Sequence, residues 1–346
     1  MKRSIYFFVF FILLANAGFA QNDLLPAAIV RLTKSEPITV KQYRTEIERM
    51  EKIAGRALNP TERRQVLDGM INEKLALQAA ERDRVIISDN EVNQQIQQLR
   101  NDMVGQIGRQ PTDAEFAIAV RNETGLDVAV FRDQIRRQML VQKYLLAKKQ
   151  NILESVKAPT EAEIADTYTF SKSQFVRPDT VRFSMIQVPY NNAEEKTKAK
   201  ELADRLVREI GSSAAKFDEA VIRGQIPNSG YLSGDGGYLP RNQEARQVVG
   251  PEFITTAFSL KQGEVSKLIE GPRGYQIIKV TETYEQKNLL LDDIAQLGSR
   301  ATVREYIRET LIQQRQQTVF AKASEELITE LRAGNPFQVF ENNLAW

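Results

Sequence analysis

Val181-Arg-Phe-Ser-Met-Ile-Gln-Val188 and Gly274-Tyr-Gln-Ile-Ile-Lys-Val280 decide how the middle of this chain reads. Both are dense in β-branched and aromatic residues, and the first stops at Pro189, so each reads as a strand. Between them, Ala193–Ile210 has the pattern of a charged amphipathic helix. Residues 217–222 suggest a shorter helix, and 251–260 a third. Gly230, Gly234, Gly236 and Gly237 fall within nine residues and mark 229–237 as a loop. Helices and strands alternating over so short a span predict one compact α+β unit.

The flanks read differently. Thr39 precedes Val40, Tyr43, Ile47 and Met50 at helical spacing. Asn59-Pro60 opens a second helix carrying Val66, Met70, Leu75 and Leu77, because proline is tolerated in a first turn. Ser88 with Glu91, Thr112 with Glu115 and Thr160 with Glu163 match the capping box, in which hydroxyl and carboxylate satisfy exposed amides reciprocally. The longest run, 127–151, places Val130, Ile135, Met139, Tyr144 and Leu145 on one side, and 28–32 suits a short strand. After Glu285 the pattern returns to helix. Val303, Ile307, Leu311, Ala323, Leu327 and Leu331 are spaced for one buried stripe, ended by Gly334-Asn335-Pro336. Such a stripe needs a partner surface, which the N-terminal helices supply. The expected architecture is α+β: a helical domain formed by N- and C-terminal segments, with one α+β domain inserted. The boundaries read as 1–20, 21–176, 177–285 and 286–346.

Residues 1–20 have the form of a secretory signal. Lys2 and Arg3 precede the apolar run 5–14, and Gly18-Phe19-Ala20 offers small residues for cleavage. The run is short for a membrane span, so the expectation is an exported mature chain with no stable span after cleavage. The 47 basic residues less those two leave 45, against 45 acidic ones, a balance with no electrostatic case for nucleic acid. The chain has no histidine and no cysteine. Histidine is the side chain suited to proton transfer near neutral pH, and cysteine supplies the thiolate. Ser-His-Asp and Cys-His catalysis, thiol redox chemistry, ordinary zinc sites and disulfides are therefore excluded within this chain. Carboxylate chemistry, a Ser-Lys pair, oxygen-ligand metal sites or no chemistry remain. Ser213-Ala-Ala-Lys216 fits a Ser-x-x-Lys pattern without companion motifs, and a helix N-cap explains Ser213 better. Adjacent Asp292 and Asp293 do not make a metal cage. No metal or cofactor is expected.

The middle blocks, in order, are Gly234-Asp-Gly-Gly-Tyr-Leu239, Pro251-Glu-Phe253, Ala257-Phe-Ser-Leu260, Gly263-Glu-Val-Ser266 and Gly274 to Val280. Over about 179–285 they resemble a parvulin-type (PpiC, rotamase) domain. The whole order resembles the SurA-like periplasmic chaperones and their PrsA relatives, and Ile71-Asn-Glu-Lys-Leu75 with Ile87-Ser-Asp-Asn-Glu91 is in the same style. The resemblance implies a peptide-binding cup in which Val249 and Phe253 receive a proline ring. It also implies histidines at two positions, where this chain has Met185 and Gln276. The cysteine or aspartate of the family falls near 225–227, where neither occurs, and Gly236 stands where leucine is common.

Proline isomerisation is rotation about a tertiary amide, with a barrier of about 18–20 kcal/mol, and a site accelerates it by binding the twisted amide better than the planar one. Gln276 can donate and accept a hydrogen bond, whereas Met185 offers only a weak sulfur acceptor. Met185, Val249, Phe253 and Gln276 are the expected peptide-binding residues, and no residue is assigned a catalytic role. The expected function is a periplasmic, ATP-independent holdase for unfolded outer-membrane or secreted proteins, its parvulin-like domain impaired in catalysis. An active parvulin-type peptidyl-prolyl isomerase is one alternative, and a docking module for one fixed envelope partner another.

Overall fold

The computed structural model describes residues 23–271 and 274–344. The leader expected at 1–20 and the terminal Trp346 lie outside the described residues. The chain divides into two compact units: one runs to Val156 and resumes at Gln314, and the other is Lys157–Gln313.

The first unit opens with an antiparallel pair, β1 (Pro26–Val30) and β2 (Glu36–Thr39), Val30 opposite Glu36. Helices α1 (Val40–Ala54), α2 (Pro60–Arg82), α3 (Asp89–Ile107), α4 (Asp113–Thr124) and α5 (Val128–Lys148) follow. Ser88 and Thr112 cap as the sequence predicts: each hydroxyl accepts the amide three residues on, and Glu91 and Glu115 accept the cap residue's own N–H at 2.8 Å. Thr39 with Gln42 and Asn59 with Glu62 form the same reciprocal pair. The long run does not reach 151 as one helix. Lys149 leaves helical geometry at φ −119°, the chain resumes as α6 (Gln150–Leu153), and the Lys149 ammonium lies 2.6 Å from Glu330. Val130 is half exposed rather than part of the buried face, which holds Tyr144 and Leu145. Leu67, Ile71 and Leu75 of α2 pack with Ala28, Val30, Ile38 and Tyr144 in one core. Gln78 is buried among them. Its Oε1 accepts the N–H groups of Leu32 and Thr33, and its Nε2 donates to the Lys34 carbonyl, all at 3.0 Å, so α2 carries the β1–β2 turn.

The second unit runs α7 (Glu161–Phe170), β3 (Val176–Arg177), β4 (Thr180–Pro189), α8 (Ala193–Ile210), α9 (Ala214–Gly224), β5 (Leu232–Pro240), α10 (Gln243–Val249), α11 (Pro251–Ser259), β6 (Ile269–Gly271), β7 (Gly274–Tyr284) and β8 (Lys287–Asn288). Four strands form an antiparallel sheet in the order β5-β4-β7-β6, and β3 pairs with β8. Ile186, Val188, Tyr275 and Ile277 pack one sheet face on α8 and α9, while Phe183, Ile278 and Val280 pack the other on α11. The glycine-rich stretch 229–237 is no loop beyond Tyr231: from Leu232 it is an edge strand paired along β4. The sequence pattern groups helix α7 with the N-terminal helices. Its Ile164 instead packs with Leu289, Val303 and Ile307, which draws 157–176 and 286–313 into this unit.

The last helix, α12 (Val303–Arg332), corrects the single stripe as well. Val303 and Ile307 belong to the cluster around Ile164, whereas Ala323, Leu327 and Leu331 belong to the core of the first unit. After α12, β9 (Phe337–Val339) lies along β1, Phe337 opposite Val30, so the two ends of the chain meet in one sheet.

Candidate peptide-binding site

Alternation along β4 and β7 sets Met185 and Gln276 on the α11 face of the sheet. Met185 pairs across to Ile278 on one side and Gly234 on the other. Gln276, two residues before Ile278, pairs with Gln187 and Ile269. Pro251 starts α11 at a position where its missing N–H is no loss, and this sets Phe253 and Ala257 inward. Val249 closes α10 and leans on the same cluster.

The structure brings Met185, Val249 and Phe253 into one apolar cluster with Phe183, Ile254 and Ile278. Phe253 is only 2% exposed, its ring edge-to-face with Phe183 at 5.3 Å and 71°. Such a pair adds about 0.5–1.5 kcal/mol beyond its buried area. Met185 and Val249 are half-buried at the margin. Gln276 stands apart from them, beside Gly271: a Cβ there would lie 2.8 Å from Oε1. That oxygen is closed from solvent and has no hydrogen-bond partner.

Phe183 is the residue the sequence reading missed. Its ring covers Gly236, where a Cβ would sit 2.2 Å from a ring carbon. Gly236 is also the extra residue between the Phe183–Gly237 and Ser184–Asp235 pairs, a β-bulge. An aromatic residue two positions from Met185 in a strand facing a glycine cluster is the signal that identifies it, since aromatic rings shelter strand glycines. Ser266 was missed too. It is buried, its hydroxyl accepts the Ile278 N–H at 2.9 Å, and its own N–H donates to the Ile278 carbonyl at 2.8 Å.

Charge lies at the rim. Arg182 reaches Asp235 at 2.7 Å and Glu282 at 2.9 Å, tying β5 and β7 to β4. Asp235 is a structural carboxylate: the Arg182 guanidinium, then the Gly237 N–H at 2.9 Å, hold its carboxyl below the usual range. Tyr284, bonded to the Glu282 carboxylate, is pushed up to about 12. Among the described residues no cluster of three Asp or Glu side chains is placed to hold a metal ion. The apolar face suits apolar groups, and beside it Gln276 Oε1 is enclosed without a hydrogen-bond partner.

Two family models match this chain. A SurA-like N-terminal domain covers residues 4–145, and a PPIC-type PPIASE domain covers 159–296. The chain joins a SurA-like N-terminal domain to a single PPIC-type domain. The match from 159 includes α7, in keeping with the packing of Ile164. Foldase protein PrsA of Clostridium botulinum (strain Hall) is 25% identical over 308 residues, covering 88% of this chain and 80% of the relative. Chaperone SurA of Chromohalobacter salexigens is 30% identical over 234 residues, covering 65% of this chain and 48% of the relative. This chain thus matches about half the length of that SurA. A solved SurA-like chaperone from Campylobacter jejuni is 13% identical, with 91% of this chain and 99% of the other covered at a TM-score of 0.37. The fold is mixed α+β, a helical N-terminal segment with a parvulin-like domain. No helix among the described residues is long and apolar enough to cross a membrane.

Proposed function

We propose that this chain is an exported, periplasmic, ATP-independent chaperone that holds unfolded outer-membrane or secreted proteins, with a PPIC-type domain that binds peptide but isomerises proline poorly. The names of its relatives, foldase PrsA and chaperone SurA, support the chaperone part. The observation that carries the rest is the state of the two positions where the family resemblance implies histidine. Met185 packs at the margin of an apolar cluster, and Gln276 Oε1 is enclosed with nothing to orient it. Rotation about the prolyl amide is accelerated by preorganised polar groups aimed at the twisted bond, and an apolar face without them grips more than it turns over.

Two assays on the mature chain test this reading. Aggregation of an urea-unfolded β-barrel client, followed by light scattering, falls as the protein approaches stoichiometry and without ATP. Exchange of a proline tetrapeptide, followed by NMR, stays near its uncatalysed rate. Unchanged aggregation would remove the holdase. Fast exchange in the wild type, lost in Phe253→Ala, would make this a working isomerase instead.

A further inference from the structure

Beside α10 and α11 the surface opens into a cleft of about 890 Å³. Arg241, Asn242, Arg246 and Gln247 supply its polar wall, and Ile254 and Phe258 its apolar floor. No lining residue is acidic. Glu244 and Glu252, the carboxylates carried by the two helices, do not line it. The segment that builds the wall is 241–248, most of which folds into α10.

Arg241 and Arg246 both line the cleft, and Arg241 is held there. The Arg241 N–H donates to the Asp179 carbonyl at 2.7 Å, which fixes its backbone at the exit of β5. Its guanidinium lies 5.3 Å over the Phe258 ring and 3.8 Å from the Asp179 carboxylate, the outer limit of an ion pair. Stacking on Phe258 presents the planar donor edge along the apolar floor. Arg246 forms no ion pair among the described residues. The Asn242 side-chain oxygen caps α10 by accepting the Ala245 N–H at 2.8 Å, which leaves its NH2 group as a donor. Two cations, carboxamide donors and an apolar strip, with no anion among them, complement a carboxylate next to an apolar side chain. An arginine pair reads such a carboxylate through paired N–H groups.

We propose that this cleft is a second docking site, separate from the Met185–Phe253 face, for an acidic peptide segment whose carboxylates flank an apolar side chain. It stands on the charge and shape of the α10–α11 surface and does not depend on the fate of the holdase reading. The binding partner is a stretch of polypeptide rich in Asp or Glu with interspersed Leu or Phe.

The experiment uses the full mature chain and two fluorescein-labelled peptides, Gly-Asp-Leu-Asp-Phe-Glu-Gly and its neutral counterpart with Asn and Gln, read by fluorescence anisotropy. The acidic peptide binds more tightly than the neutral one. Its affinity falls with added salt, and falls about tenfold in the double variant Arg241→Gln, Arg246→Gln, two rim charges being lost together. The neutral peptide's affinity and the thermal midpoint stay unchanged in that variant. Equal affinity for the two peptides in the wild type overturns the proposal, whether or not the variant folds. So does an acidic-peptide affinity that ignores the double substitution in a folded protein. Binding to anionic phospholipid vesicles that the acidic peptide fails to displace, with no measurable peptide binding, assigns the arginines to a membrane surface and overturns it as well.

Discussion

Gln276 and Gly236 behave oppositely under substitution, and each reports on one feature of the sheet. The enclosed Gln276 Oε1 lacks a partner, and a buried acceptor left unpaired costs about 1–3 kcal/mol. Gln276→Met keeps the length of the side chain and removes that acceptor. The expected result is a gain of about 1 kcal/mol in urea denaturation. A loss of similar size would mean that the carboxamide is bonded in solution. Gly236 is the reverse case. A methyl there meets the Phe183 ring at 2.2 Å, and Phe183 is itself pinned edge-on to Phe253. Gly236→Ala should lower stability by about 1–3 kcal/mol, the usual range for overpacking. Shrinking the ring as well, in Gly236→Ala with Phe183→Leu, should make the two losses less than additive.

At the scale of elements, α12 carries two loyalties along one helix. Ile307 is buried with Ile164, and Leu327 with Leu67 and Tyr144. Truncating either opens a cavity worth about 2–5 kcal/mol, but in different units. Hydrogen exchange should therefore separate them: Ile307→Ala speeds exchange in 161–170, and Leu327→Ala speeds it in 60–82. Equal acceleration in both segments by either variant would contradict the division. The same helix shows how far the sequence could be read. The 3.6-residue period finds the buried Val303, Ile307, Ala323, Leu327 and Leu331 of α12, with Leu311 only half-buried. A period says nothing about which neighbour buries them, so one stripe stands for two cores that share the helix. Caps were legible because they are local: Ser88 with Glu91 needs only four residues to be recognised. Strand β5 was not. Its pairing with β4 is held by backbone bonds and by the Phe183 ring over Gly236, so hydrophobic alternation, the usual sign of a strand, is replaced by glycine. At the candidate site, the sequence placed Met185, Val249 and Phe253 together. It could not foresee that Phe253 would be enclosed or that Gln276 would face Gly271, because both depend on side chains supplied by other strands.

For the whole molecule, the missing histidine sets how stability responds to pH. Among the side chains of this chain, none has an unperturbed pKa between about 5 and 8. The carboxyls that the fold displaces move downward: Glu62 to about 2 through Arg56, Glu91 to about 2 through Lys143, and Glu115 to about 2 through Arg109. The displaced phenols move upward, Tyr43 and Tyr144 through burial and Tyr284 through Glu282. A carboxyl depressed in the folded state stabilises it above the unfolded value of about 4 and loses that contribution as pH falls towards the folded value. Stability should thus be level from about pH 6 to 8 and decline below about pH 5, with the decline still deepening near pH 3. Urea midpoints measured at half-unit steps from pH 3 to 8.5 test this directly. A transition centred between pH 6 and 7.5 would contradict it, since the chain has no histidine. Under the proposed holdase reading the same level response should hold for client binding, because the chain has no imidazole to protonate in the neutral range. A client affinity that changes more than about threefold between pH 6 and 7.5, with a client that itself lacks histidine, would show that the grip is set by something other than this chain's own charges.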